Sequence, residues 1–112
     1  MKLPIGVHLA SVPGDVPPYR SAGWRLARVR GAGTKEDALA ALGRALRFPE
    51  WYGNNLDALW DCLTDLTEPT VVVWTGWEGL AVSDPDAWAD LLGVLRDRAE
   101  TDPEFAVWFV PA

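Results

Sequence analysis

Apolar positions along this chain follow two rhythms, and together they outline an α/β domain. Trp24–Arg30, WRLARVR, alternates imperfectly, with Trp24, Leu26 and Ala27/Val29 inward and Arg25, Arg28 and Arg30 outward. That predicts a strand at an edge or with one solvated face. Thr70–Trp74 (TVVVW) and Phe105–Val110 (FAVWFV) are apolar on both faces, as central strands of a covered parallel sheet are. Between them the period lengthens to that of a helix. Ala38, Leu39, Leu42, Ala45 and Leu46 predict a helix from an N-cap at Thr34 to about Arg47, stopped by Pro49. Leu56, Leu59, Leu63 and Leu66 predict a second helix, closed by Pro69. Thr75–Val82 reads as a loop or a single helical turn. Trp88, Leu91, Leu92, Leu95 and Ala99 predict a last helix that opens at Pro85 behind Ser83-Asp84 and ends near Glu100–Thr101. The order is β-α-α-β-α-β, which favours a small parallel sheet with helices packed on it. Residues 1–23 hold four of the nine prolines and read as an N-terminal extension, loop or extra strand, with a possible short strand at Ile5–Ala10. Residues 24–112 form the expected domain.

Composition narrows the function classes. At 112 residues this is one domain with room for a real core. No apolar run reaches the roughly 20 residues of a membrane span, and MKLPIGVHLASVPGD lacks the apolar core of a secretion signal. The single cysteine, Cys62, permits no internal disulfide, so cytoplasm is the expected compartment. The net charge of −6 divides unevenly: +5 over residues 1–47, −9 over 48–95 and −2 over the rest. From Phe48 to Leu95 there is no Lys or Arg. Such a field selects partners and raises encounter rates. It disfavours nucleic acid as a ligand and favours a basic protein surface. Seven tryptophans supply core or interface aromatics.

The charge-bearing stretch is Phe48–Leu66, FPEWYGNNLDALWDCLTDL. At about 100° per residue, the four leucines from Leu56 to Leu66 fall within roughly 80°, bordered by Cys62 and Trp60. Asp57, Asp61 and Thr64 cluster within about 60° on the opposite side, with Asp65 beside them. Asn54 or Asn55 suits the N-cap, and Gly53 the turn before it. A solvated helix face needs polar residues, and Asp57 near the positive dipole end fits that need. The others do not: Asp57/Asp61 and Asp61/Asp65 repel at i, i+4 by about 0.2–0.5 kcal/mol per pair, and no local base offsets them. On local physics alone, a binding role and a solvated helix face are evenly balanced.

Catalysis is not expected. Paired carboxylates one turn apart on a solvated face lack the cleft that would separate their pKa values. His8, the sole histidine, sits alone in the Pro-rich start, and Cys62 points to the buried border. No loop has calcium-ligand spacing, and Gly31-Ala32-Gly33 lacks the rest of a phosphate-binding loop. Neither a metal, a cofactor nor a small-molecule substrate is expected.

The run PEWYGNNLDALWDCLT resembles the signature of the barstar family, inhibitors of the barnase-type ribonucleases, and the likeness extends more weakly from about Trp24 to Val110. The resemblance implies a three-stranded parallel sheet with helices around it, and a second helix and preceding loop that plug the active site of a basic, secreted-type ribonuclease. It implies partner contacts at Trp51, Asp57, Asp61 and Thr64, and at Asp97 on the last helix; Asn54, Trp60 and Asp65 lie in the same stretch and are expected to join the partner-binding face. This chain departs from the family pattern at four positions. Trp51 stands for a tyrosine, Asn54 for an acid, Asp65 for a glycine and Leu66 for a tryptophan. The last two alter the rim of the binding helix and leave room for a second reading, an immunity or adaptor protein with a non-ribonuclease partner.

Overall fold

The computed structural model describes residues 2–112. Strands β1 (Gly6–Leu9), β2 (Arg25–Arg30), β3 (Thr70–Thr75) and β4 (Phe105–Val110) form one parallel sheet in the order β1-β4-β3-β2. The expected three-stranded sheet is therefore corrected to four. β1 pairs with β4 in register from Gly6↔Ala106 to Leu9↔Phe109, and Ala10 N–H donates to Phe109 O at 2.8 Å. A four-residue strand between prolines can occupy that place because it is at the sheet edge, where one row of backbone groups needs no partner.

Side-chain alternation divides the sheet into two buried faces. Ala27, Val29, Val72, Trp74, Phe105, Val107 and Phe109 face the helices α1 (Lys35–Ala45), α2 (Leu56–Thr64), α3 (Glu78–Ser83) and α4 (Pro85–Ala99). Val71, Val73, Ala106, Val110, Leu26 and Trp108 face the other way and are covered by residues of the Pro-rich segment. Tyr19 is the centre of that cover. Fully buried, it donates its hydroxyl to Pro4 O at 2.6 Å, accepts from Trp108 Nε1 at 2.9 Å, and packs on Trp24 with ring centroids 4.8 Å apart. β2 is thus covered on both sides: Ala27 and Val29 meet the helices while Trp24 and Leu26 meet the N-terminal cover. Mixed parity explains its imperfect alternation.

The helix ends differ in detail from the expectation. Thr34 caps α1 by accepting from Asp37 N–H at 3.1 Å, but α1 ends at Ala45, before Pro49 can act. Arg47 takes φ 55°, its N–H donates to Arg44 O at 3.2 Å, and Phe48 N–H donates to Gly43 O at 2.9 Å. This is the paired closure that turns a chain sharply off a helix, and it aims residues 48–55 across the outer surface of α1. At α4, Asp84 is the cap and accepts from Ala87 N–H at 3.1 Å, with Pro85 at the first helical position. Among the described residues, no helix is long and apolar enough to cross a membrane.

Candidate functional site

Two anchors fix the loop before α2. Tyr52 donates its hydroxyl to Leu39 O at 2.9 Å, packs edge-on against Phe48 at 5.0 Å, and lies over Gly43. A Cβ at Gly43 would come within 2.6 Å of the Tyr52 ring, so glycine there is what lets the loop lie flat on α1. At the other end Asn55 is the N-cap, its Oδ1 accepting from Ala58 N–H at 2.8 Å. The left-handed residue in this turn is Asn54, at φ 52°, rather than Gly53. Asparagine tolerates that conformation better than most side chains.

With its neighbour Tyr52 anchored inward, Trp51 is left outward and 59% exposed. Of the seven tryptophans it is the one that is exposed. Trp74, by contrast, is fully buried and donates Nε1–H to Gly31 O at 3.0 Å.

Burial raises the Tyr52 phenol from 10.0 to about 12, with Cys62 adding a smaller push in the same direction. Below pH 10 the phenol is protonated in both folded and unfolded chains. Between pH 10 and 12 the folded chain keeps a proton that the unfolded chain has lost, so stability falls as pH rises through that window. Urea titrations below and within the window should show this slope flattened in Tyr52→Phe, at a cost of about 1 kcal/mol near neutrality for the lost hydrogen bond.

α2 itself has two faces. Leu59, Cys62 and Leu63 are buried and Leu56 is partly so. The expected helix to Leu66 is two residues too long: Asp65 is the C-cap, its N–H donating to Asp61 O at 3.2 Å, and Leu66 is buried just past the end. Burial pushes the Cys62 thiol up, and the charges of Asp65 and Asp61 add to the rise, so it is held as a neutral thiol.

Asp57, Asp61, Thr64 and Asp65 are all exposed. Thr64 donates its hydroxyl to Asp61 O at 2.9 Å, which leaves the oxygen lone pairs outward as acceptors. Asp97 comes to the same place from α4. A groove of about 510 Å³ between the two helices is lined by Leu56, Asp57, Trp60, Asp61, Val94 and Asp97. Asn54, Asn55 and Asp57 border a second hollow against Lys35 and Glu36 of α1. Six of the eight sequence-selected residues (Trp51, Asn54, Asp57, Asp61, Thr64 and Asp97) are exposed on the loop, α2 and α4; Asp65 lies exposed at the helix end, and Trp60 is a half-buried wall of the groove.

These carboxylates have nothing to neutralise them. Among the described residues the one ion pair is Lys35–Asp90 at 3.9 Å, and no hydrogen bond engages the carboxylates of Asp57, Asp61, Asp65 or Asp97. An unpaired acidic groove with a tryptophan beside it is complementary to a cationic surface that carries a planar group. Sequence reasoning missed Val94, which completes the groove wall, and Tyr52, whose aromatic identity gave no sign that it holds the loop. Val94 lies off the main apolar stripe of α4 and becomes visible only when α2 is set against it.

The family model described as Barstar (barnase inhibitor) matches residues 24–111. A protein of Bacillus subtilis (strain 168) named "Putative ribonuclease inhibitor YrdF" is 53% identical over 56 residues, 49% of this chain and 62% of that protein. The match thus spans less than two thirds of that relative's length.

Proposed function

Because the chain belongs to the barstar family, we propose that it is a protein inhibitor of a basic, barnase-like ribonuclease, which it blocks by seating α2 and the preceding loop in the active site. The carrying observation is the groove that brings Asp57 and Asp61 of α2 together with Asp97 of α4, with no cation to neutralise them. A ribonuclease binds a polyanion and so lines its site with Lys, Arg and His. The carboxylates stand in for phosphates, and Trp51 stands in for a base. Opposite charge raises the encounter rate and fixes register. The protein acts stoichiometrically rather than as an enzyme, in the cytoplasm of the producing cell, where its one buried free cysteine needs no oxidising environment.

Titrating the protein into a guanyl-specific ribonuclease of the barnase type should abolish RNA cleavage at a one-to-one ratio. The association rate should fall steeply with added salt. Cleavage unaffected by excess protein would overturn this reading in favour of an adaptor with another partner, a possibility tied to the rim residue Asp65; Leu66, expected at the rim, is buried in the core instead.

A further inference from the structure

α2 ends without a base of its own. Its last turn contains none, and residues 48–95 contain none. That end gathers the negative pole of the helix together with Asp61 and Asp65. A cation from α4 meets the backbone there, though neither carboxylate. Arg98 is fully buried there, and its Nε–H donates to Leu63 O at 2.7 Å. Its Nη1 donates to Thr101 O at 3.1 Å, Thr101 Oγ1 at 3.0 Å and Pro103 O at 3.0 Å, and the guanidinium lies 5.2 Å from the centroid of the Phe105 ring. One planar side chain therefore joins the end of α2, the turn after α4 and the start of β4. Its Nη2 is buried without a partner, which a residue selected only for packing would not carry. The next residue toward the N-terminus is Asp97, on the groove wall opposite Asp61.

We infer that Arg98 is the positioning residue of the acidic face: it ties the Leu63 carbonyl, in the last turn of α2, to α4 and thereby sets how Asp61 and Asp97 stand across the groove. This rests on the ribonuclease-binding reading above and adds to it a residue that never touches the enzyme. Only a guanidinium fork can hold Leu63 O on one side and the 101–103 carbonyls on another. Asp102 is the acid whose charge favours the protonated guanidinium against the desolvation that opposes it. Trp51, at the far end and held by Tyr52, is independent of this tie.

The test combines amide exchange in the free protein with double-mutant cycles in ribonuclease binding. Arg98→Met should exchange at least about tenfold faster at the Asp65 and Leu66 amides, with α1 unchanged, and should bind at least about tenfold more weakly. Its effect should be non-additive with that of Asp97→Asn and additive with that of Trp51→Ala. Arg98→Lys keeps the charge and one contact, and should restore part of the protection. Unchanged exchange, wild-type affinity, or equal coupling to Trp51 and Asp97 would overturn the inference. If Arg98→Met does not fold, Arg98→Lys against wild type decides: exchange accelerated only at the end of α2 supports it, and unchanged exchange overturns it. If wild-type protein itself fails to bind, the functional reading falls and exchange alone judges Arg98.

Discussion

Asp61→Ala should weaken ribonuclease binding by about 30-fold to a few thousandfold while leaving the fold intact. The range is the general one for truncating one side of a desolvated charge pair, about 2–5 kcal/mol, at tenfold per 1.4 kcal/mol. Asp61 is the residue to choose because it lines the groove in the middle of the α2 face, whereas Asp57 lies near the favourable helix N-terminus. Its removal costs the free protein almost nothing. The side chain is exposed, no hydrogen bond or cation engages its carboxylate, and the Thr64 bond goes to its backbone oxygen. Relief of the two i, i+4 repulsions could raise stability by a few tenths of a kcal/mol. Calorimetric titration and thermal unfolding of the same sample separate the two effects. A binding loss accompanied by an equal stability loss would contradict the assignment, as would retained affinity.

The second large effect lies on the opposite side of the sheet. Tyr19→Ala should lower stability by roughly 4–6 kcal/mol, since truncating a large buried aromatic costs about 3–5 kcal/mol and orphaned polar groups add to it. Pro4 O would lose its donor and Trp108 Nε1 its acceptor. At about 4 °C per kcal/mol the unfolding midpoint should fall by about 15–25 °C. Tyr19→Phe keeps the ring and should lose only about 1 kcal/mol. Deleting residues 2–23 should be more damaging still, because it bares Val71, Val73, Ala106 and Val110 at once. A truncated chain that unfolds cooperatively at the wild-type temperature would show that the cover is dispensable.

Much of the helical side was legible in the sequence because its signals are local. The cap at Thr34, the break before Pro69, the Pro85 start and the two-sided burial of TVVVW each depend on residues within a turn or two of one another. The face of α2 was legible for the same reason: leucine spacing alone separated Leu59 and Leu63 from Asp57 and Asp61. What escaped depends on residues far apart in the chain. A short strand at Ile5–Ala10 is suggested by the sequence, but its membership of the sheet depends on the edge that β4 offers about a hundred residues later, from Gly6 to Ala106. Tyr19 takes its role from Trp108 and Pro4, which close on its hydroxyl from 89 and 15 positions away. Nothing near Arg98 in the chain reveals that Leu63, 35 positions earlier, accepts from it. The end of α2 was overrun for a subtler reason: Leu66 continues the apolar spacing and is buried, although the helix has already ended at Thr64.

The strand order carries a consequence for biosynthesis. Of the four strands β4 is the last to be synthesised, yet it lies inside the sheet, between β1 and β3. The earliest strand must therefore wait, unpaired, for the latest one. During that interval the nascent chain can assemble β2, α1, α2 and β3 but cannot close the far layer. Pairing across so long a separation is slow, and open strand edges invite association. The sheet, and with it the cover on its far side, thus closes only once β4 has been made.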